Sequence, residues 1–178
     1  MIEVEVKAKI NSFNEMESKL KALGAIKIQK EFQEDIYFAS PIVDFAKTDE
    51  ALRIRTTNKD TFITYKGPKL NKQAKTRKEV EMSIESAAKA KDILEEIGFK
   101  EVRTVRKNRQ YYIYENFEIS LDDVEGLNPY MEIEIALEDS EDYSDAQDRI
   151  FELFEKLDIT DGFERTSYME LLENLNTE

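Results

Sequence analysis

The organisation of this chain is clearest in its first ten residues, Met1-Ile-Glu-Val-Glu-Val-Lys-Ala-Lys-Ile10. Apolar residues occupy the even positions from 2 to 10, and the positions between them hold Glu3, Glu5, Lys7 and Lys9. A repeat of two places successive side chains on opposite faces of a β-strand, so we predict a strand with one apolar face and one charged face. A single strand of this kind is typical of a sheet with one solvated face. Its meaning therefore depends on whether other strands repeat the pattern.

The composition restricts the possible classes of function. A length of 178 residues fits one domain, which we predict over 1–178. Lys+Arg 26 against Asp+Glu 39 gives a net charge of −13, which argues against a sequence-independent nucleic-acid partner. The chain has neither cysteine nor histidine. A metal site would therefore consist of carboxylate, carbonyl and water oxygens, which are the ligands of Mg²⁺, Mn²⁺ or Ca²⁺.

The chain carries no signal for insertion into a membrane. No apolar run approaches the length of a membrane-spanning helix, and the N-terminus enters a charged strand at once. We therefore expect a cytoplasmic protein without a membrane partner.

Charged residues recur with the same spacing of two in later segments. We predict strands over 26–38, 51–57, 61–66, 77–83, 99–107, 109–115, 117–124 and 130–137, with turns at Asn108 and Asn116. One face of these strands carries Arg53 and Arg55; Arg77, Glu79 and Glu81; Lys107 and Arg109; Glu118, Ser120 and Asp122; and Tyr130, Glu132 and Glu134. The opposite positions are mostly apolar, so the sheet as a whole has two contrasting faces.

Predicted helices decide which face is buried. Amphipathic helices follow Ser12 and Ser86 and end at Gly24 and Gly98, and another carries an apolar stripe through Phe154. These stripes need an apolar partner, and the apolar face of the strands provides one. We therefore predict an α+β fold with helices outside a barrel and the charged face lining a tunnel. A conventional sheet with a solvated charged face is the alternative.

The charged motifs also resemble those of a known family. They are Glu3-x-Glu5-x-Lys7, Arg53-Ile-Arg55, Lys66-Gly-Pro, Arg77-Lys-Glu79-Val-Glu81, Lys107-x-Arg109, Leu-Asp122-x-Val124, Glu132-Ile-Glu134 and Ser167-Tyr168-x-Glu170. Their order and spacing over nearly the whole chain resemble the CYTH superfamily, the triphosphate tunnel metalloenzymes. The resemblance implies an eight-stranded antiparallel β-barrel whose tunnel binds a triphosphate.

The resemblance also implies roles for individual residues. The triphosphate-binding set would be Lys7, Arg53, Arg55, Lys66, Arg77, Lys107 and Arg109, with Lys7, Lys66 and Arg109 acting in catalysis. The ligands of Mg²⁺ or Mn²⁺ would be Glu3, Glu5, Asp122, Glu132 and Glu134. Glu79 and Glu81 would either contact the metal or orient the basic residues. Arginine and lysine suit phosphate oxygens, and carboxylates suit hard divalent cations.

Three functions are compatible with this site. The resemblance is to class IV adenylate cyclase-like proteins of archaea and bacteria, which implies conversion of ATP to cyclic AMP and pyrophosphate and a possible homodimer. A triphosphatase acting on thiamine triphosphate, inorganic triphosphate or a nucleoside triphosphate is an alternative. A non-catalytic module that binds nucleotides or polyphosphate is another. We interpret Lys69, Lys72 and Lys75 as a solvated loop and Tyr111, Tyr112 and Tyr114 as barrel-wall residues.

Overall fold

A computed structural model describes residues 2–68, 77–137 and 143–176. The strands are β1 (Ile2–Lys9), β2 (Ile26–Ala39), β3 (Ala51–Thr56), β4 (Thr61–Lys66), β5 (Glu79–Ser83), β6 (Lys100–Tyr114), β7 (Phe117–Val124), β8 (Tyr130–Leu137) and β9 (Phe163–Glu164). The helices are α1 (Phe13–Leu23), α2 (Phe45–Thr48), α3 (Ala87–Glu96), α4 (Tyr143–Lys156) and α5 (Tyr168–Leu175). The predicted lysine loop with Lys69, Lys72 and Lys75 lies outside the described residues.

The strands form one curled antiparallel sheet. Its order is β5-β4-β3-β2-β6-β7-β8-β1-β9, so the described residues contain nine strands. The prediction of eight strands is not confirmed, because the two-residue strand β9 adds to the free edge of β1 at Lys7 and Ala8. The sheet is a half-barrel, and its closure into a complete barrel is not confirmed either. An isolated bridge between Glu3 and Arg77 brings the two ends of the sheet together.

One strand boundary differs from the prediction. We expected Asn108 to form a turn between two strands, but β6 runs without interruption through this position. Asn108 pairs with Phe32 of β2 on one side and with Asp123 of β7 on the other. Pairing on both sides outweighs the turn preference of asparagine, which is a local tendency only. The predicted turn at Asn116 does join β6 to β7.

The apolar face of the sheet packs against helices, as the alternation predicts. The main core joins Val4 and Val6 of β1 to Leu20 of α1 and to Ile150 and Phe154 of α4, all of them buried. A second cluster places Leu94 of α3 against the outer side of β2 and β3. The charged side chains of the same strands are therefore directed to the inside of the half-barrel.

Helix α5 departs from this arrangement. Its first residue, Tyr168, packs against Val105, Val124 and Tyr130. Val124 lies on the same face of β7 as Asp122, because the two residues are two apart. The prediction that helices lie outside the barrel is therefore wrong for α5, which covers the inner face where that face becomes apolar. Hydrogen bonds between Ser167 and Glu170 form a capping box that fixes the start of this helix.

The helix boundaries otherwise follow local signals. Ser12 accepts a hydrogen bond from the Glu15 amide at 3.3 Å, and Gly24 ends α1 with a left-handed φ of 92°. Ser86 caps α3 through the Lys89 amide in the same way. No helix in the described part of the chain is long and apolar enough to cross a bilayer.

Candidate active site

A large cavity occupies the inside of the half-barrel. Its volume is about 1060 Å³. Its walls include every predicted site residue except Asp122, namely Glu3, Glu5, Lys7, Arg53, Arg55, Lys66, Arg77, Lys107, Arg109, Glu132 and Glu134. Glu79, Glu81 and Glu118 also line it. The strands thus bring residues from distant parts of the chain into one charged chamber, although their roles stay predictions.

Asp35 holds three of the cations in place. It accepts hydrogen bonds from Nε and Nη2 of Arg55 at 2.6 and 2.7 Å. The guanidinium of Arg53 lies 3.5 Å away and the ammonium of Lys107 lies 3.7 Å away. Burial alone would raise the pKa of Asp35, but these three cations hold that pKa well below its ordinary value. Asp35 is therefore a permanent counter-ion for Arg53, Arg55 and Lys107, which together form the basic wall of the chamber.

Lys107 is held in an environment that disfavours its charge. Burial, followed by the positive charges of Arg109 and Arg55, lowers the pKa of Lys107 to about 7. Its ammonium also lies 5.2 Å from the ring centre of Tyr168. An added anion in the cavity would reverse this balance, because it would favour the charged form of the lysine.

Arg109 is oriented by two carboxylates. It donates to Oδ1 and Oδ2 of Asp122 at 2.7 and 2.5 Å, and it also donates to Glu132. Tyr168 donates its hydroxyl hydrogen to Oδ2 of Asp122 at 2.6 Å. Asp122 is completely buried behind Arg109. Its place in the structure favours a positioning role, and its predicted role as a metal ligand stays untested.

Lys7 points into the chamber from β1 and is also buried. Its ammonium donates to the Thr166 carbonyl at 2.6 Å and lies 4.2 Å from the ring centre of Tyr168. A contact of this kind with an aromatic face helps to keep a desolvated cation in a fixed position. Thr166, just before α5, and Tyr168, the first residue of α5, therefore hold the Lys7 ammonium in position.

Lys66 of β4 is a further cation that lines the chamber. Lys66 forms an ion pair with Glu79, and burial followed by the charge of Arg53 lowers the pKa of Lys66. Glu81 accepts a hydrogen bond from Thr64 at 2.8 Å. Glu79 therefore orients a basic residue, which is one of the two roles that we considered for it.

Acidic residues concentrate on the remaining wall. In the antiparallel register, Glu118 of β7 lies opposite Glu134 of β8, and Glu134 lies opposite Glu5 of β1. Glu3 is two residues from Glu5 on the same face. Burial, followed by the charges of Glu3 and Glu5, raises the pKa of Glu134 to about 9. Carboxylates directly opposite one another repel, so a cation bound beside this row would reduce the repulsion.

The donor set of this wall fits a hard divalent cation. All the groups are carboxylate oxygens, as Mg²⁺ and Mn²⁺ prefer. Within the described ranges, no group of three acidic side chains is close enough together to form a preformed metal site. The row Glu118, Glu134 and Glu5 nevertheless supplies oxygens side by side on adjacent strands. A cation and the phosphate oxygens of a ligand would complete such a site together.

Two site residues were missed by sequence reasoning. Asp35 follows the alternation of its strand with Gln33 and Tyr37, but nothing local shows which cations it meets. Glu118 shares a face with Ser120 and Asp122, and its spacing could have suggested a place beside Glu134. Both residues gain their roles from pairing across strands.

Comparison with known proteins agrees with this architecture. Residues 1–168 match the family model described as the CYTH domain. The chain is 46% identical over 172 residues to MJ0240 of Methanocaldococcus jannaschii, which is provisionally named an adenylate cyclase, and the match covers 96% of this chain and 98% of that one. It is 26% identical to adenylate cyclase CyaB of Aeromonas hydrophila, with 99% and 93% covered.

A solved structure has the same fold. The PH1819 protein of Pyrococcus horikoshii OT3 superimposes with a TM-score of 0.88 at 40% identity, and the match covers 99% of both chains. The family model and these relatives extend over nearly all of the sequence. The chain therefore belongs to the CYTH domain family.

Proposed function

We propose that this protein is a Mg²⁺- or Mn²⁺-dependent enzyme that converts ATP to cyclic AMP and pyrophosphate in its charged chamber. The observation that carries the proposal is that basic and acidic side chains together line one cavity large enough for a nucleoside triphosphate. The adenylate cyclase names of MJ0240 and CyaB support the choice of reaction.

The basic wall would bind the phosphate chain. Arg53, Arg55 and Lys107 share the counter-ion Asp35, so one carboxylate leaves them with a surplus of positive charge. A polyanion would supply the missing negative charge. Arginine forks would contact phosphate oxygens in pairs, while the lysines would act as compact point charges.

Lys7, Lys66 and Arg109 would act on the reacting phosphate, and Arg77 would extend the phosphate-binding set. Each of the three is held by contacts to the protein: Lys7 by the Thr166 carbonyl, Lys66 by Glu79, and Arg109 by Asp122 and Glu132. Such preorganised positive groups stabilise charge that develops in a transition state. Phosphoryl and nucleotidyl transfer depend mainly on positioning and charge neutralisation, so the lack of histidine is no obstacle.

The carboxylates of the acidic wall would hold the cation. We propose Glu3, Glu5, Glu132 and Glu134 as its ligands, with Glu118 as an additional candidate because of its register with Glu134. A divalent ion bound there would neutralise the triphosphate and help to activate the attacking hydroxyl group. In the cyclase reaction that hydroxyl is the 3′-hydroxyl of ATP, which attacks the α-phosphorus while pyrophosphate leaves.

Product analysis tests the proposal. The purified protein is incubated with Mg²⁺ or Mn²⁺ and, separately, with ATP, thiamine triphosphate and inorganic triphosphate, and the products are separated by ion chromatography. Cyclic AMP with pyrophosphate is the expected result. Orthophosphate would identify a triphosphatase instead, and binding without any product would identify a non-catalytic module. Light scattering on the same preparation tests the expected homodimer.

Matched variants connect the activity to the chamber. Arg55→Ala and Glu134→Ala should each abolish turnover while circular dichroism shows a retained fold. Arg106 is the control, because it is exposed and forms an ion pair with Glu34 at 2.7 Å outside the cavity walls. Arg106→Ala should keep full activity. Turnover that persists in Arg55→Ala or Glu134→Ala would contradict the assignment of the site.

A further inference from the structure

A second, smaller cavity adjoins the charged chamber. Its volume is about 340 Å³. Arg55, Glu81 and Tyr111 belong to the walls of both cavities, so the two spaces meet at these residues. The second cavity also has walls that the first one lacks, among them Gln33 and Phe62. A ligand held by Arg55 in the chamber would therefore have its other end near this space.

Gln33 lines this cavity and carries a buried hydrogen-bond acceptor without a partner in the described part of the chain. The residue is 1% exposed. Its Nε2 donates to Oε2 of Glu31 at 2.7 Å and to the Tyr111 hydroxyl at 2.8 Å. Its Oε1 has no hydrogen-bond partner among the described residues. A buried acceptor without a partner costs stability, which is unusual unless a ligand or an ordered water satisfies it.

The neighbours of Gln33 fix the direction of its amide. A carboxylate such as Glu31 can only accept hydrogen bonds, so the NH₂ end of Gln33 must face it. Rotating the amide by half a turn would place two oxygens against each other. The acceptor Oε1 is therefore the end left for a ligand.

The other walls indicate the chemistry of that ligand. Phe62 and Tyr111 contribute aromatic rings, against which a flat heteroaromatic ring can pack. The carboxylates of Glu31, Asp60 and Glu81 outnumber the two cations of this lining, Arg55 and Lys59, and this balance disfavours a further anion and favours hydrogen-bond donors. The second cavity thus differs from the basic wall in the chamber, and it suits the uncharged organic part of a nucleotide.

We propose that the second cavity receives the base of the nucleoside triphosphate and that Oε1 of Gln33 selects a ring with an exocyclic amino group. This inference rests on the proposed function, because it requires that the triphosphate occupies the chamber. The phosphate chain at Arg55 would lie in the chamber and the base at Gln33 in the second cavity, so the nucleotide would extend past the residues that line both spaces. A 6-oxo purine presents an acceptor where a 6-amino purine presents a donor, so the site discriminates against it.

Calorimetric titration with non-cleavable methylene analogues of ATP and inosine triphosphate, and with inorganic triphosphate, tests this inference. The wild-type protein should bind the ATP analogue about tenfold more tightly than the inosine analogue, as one gained hydrogen bond predicts. Gln33→Leu should reduce that ratio to near one while the affinity for inorganic triphosphate and the melting temperature stay close to wild type.

Gln110→Leu is the matched control. Gln110 is also buried, but it accepts a hydrogen bond from Tyr112 at 3.1 Å and lines neither cavity. This variant should keep the wild-type ratio. Equal affinities of the wild-type protein for both analogues, or an unchanged ratio in Gln33→Leu, would overturn the inference while binding of inorganic triphosphate still supported the chamber. If inorganic triphosphate does not bind at all, the proposed function fails and the inference fails with it.

Discussion

Asp35 of β2 and Arg55 of β3 form a two-pronged ion pair across adjacent strands, with hydrogen bonds of 2.6 and 2.7 Å. Asp35 is 1% exposed, and Arg53 and Lys107 also lie within 3.7 Å of it. Because one carboxylate faces two permanently charged guanidinium groups and, below its pKa of about 7, the Lys107 ammonium, the basic wall keeps a net positive charge. The net positive charge of this wall favours the binding of a polyanion.

Asp35→Asn should destabilise the protein strongly. Removing the carboxylate leaves buried cations without their counter-ion, and the expected loss in the free energy of unfolding is about 3 kcal/mol. Urea denaturation measures it. Asp44→Asn is the control, because Asp44 forms an exposed ion pair with Lys47 at 3.2 Å and such pairs contribute little. Equal effects of the two substitutions would contradict the role of Asp35.

Lys107 should take up a proton when a triphosphate binds. Its pKa is lowered to about 7, so at pH 8 it is mostly neutral in the free protein. An added polyanion raises that pKa, so binding at pH 8 should consume close to one proton and binding at pH 5 almost none. Titration calorimetry in buffers of different ionisation enthalpy measures the uptake. Lys107→Arg should abolish it, because arginine is already charged; uptake that remains in this variant would assign the proton to another group.

Glu134→Gln should stabilise the metal-free protein at neutral pH. The pKa of Glu134 is raised from 4.5 to about 9 in the folded state. Its contribution to stability is therefore complete below pH 4.5 and is lost as the pH rises towards 9. The amide carries no charge, so the variant should gain roughly 3 kcal/mol at pH 7, which thermal unfolding in a chelator can measure.

The same variant should respond less to a divalent ion. Mn²⁺ should raise the melting temperature of the wild-type protein more than that of Glu134→Gln, because the variant lacks one proposed ligand. Glu17 is a control of opposite sign, since the hydrogen bond from Lys27 lowers the pKa of Glu17. Glu17→Gln should leave the melting temperature unchanged or lower. A lower melting temperature for metal-free Glu134→Gln would contradict repulsion along the acidic wall.

Tyr168→Phe should reduce turnover more than stability. The hydroxyl of Tyr168 donates to Asp122 at 2.6 Å, and Asp122 in turn orients Arg109. Without this bond we expect kcat to fall about tenfold, with a small change in KM. Tyr112→Phe is the matched control, because Tyr112 also donates to a carboxylate, that of Glu17 at 2.8 Å, but away from the chamber. Equal losses of activity in both variants would indicate a merely structural effect.

The sequence predicts the two faces of the sheet well, because alternation is a local property. Glu3, Glu5 and Lys7 lie on the cavity face of β1, while Val4 and Val6 are buried against helices. The continuity of β6 through Asn108 could not be predicted, because pairing with Phe32 and Asp123 on either side overrides the preference of asparagine for turns.

The partners within the site were also beyond local reasoning. The approach of Arg53, Arg55 and Lys107 to one carboxylate depends on the register of β2 with β3 and β6. Asp122 shows the same limit: the resemblance implies that it is a metal ligand, which stays a prediction, but it does not indicate that the register of β6 and β7 places Arg109 directly opposite Asp122. A sequence can thus indicate the inner face before it can indicate which charges on that face meet.

The bridge between Glu3 and Arg77 has a mechanical consequence. Glu3 is a predicted metal ligand and Arg77 is a predicted phosphate ligand. Their backbones pair where β1 approaches the segment that leads into β5. A substrate with its cation would therefore bind residues on both sides of this bridge, which we call the seam of the half-barrel, and would hold the seam closed. Ligand binding in the chamber would therefore raise the free energy of local opening at the seam. Amide hydrogen exchange at Glu3 would slow as the ligand concentration rises.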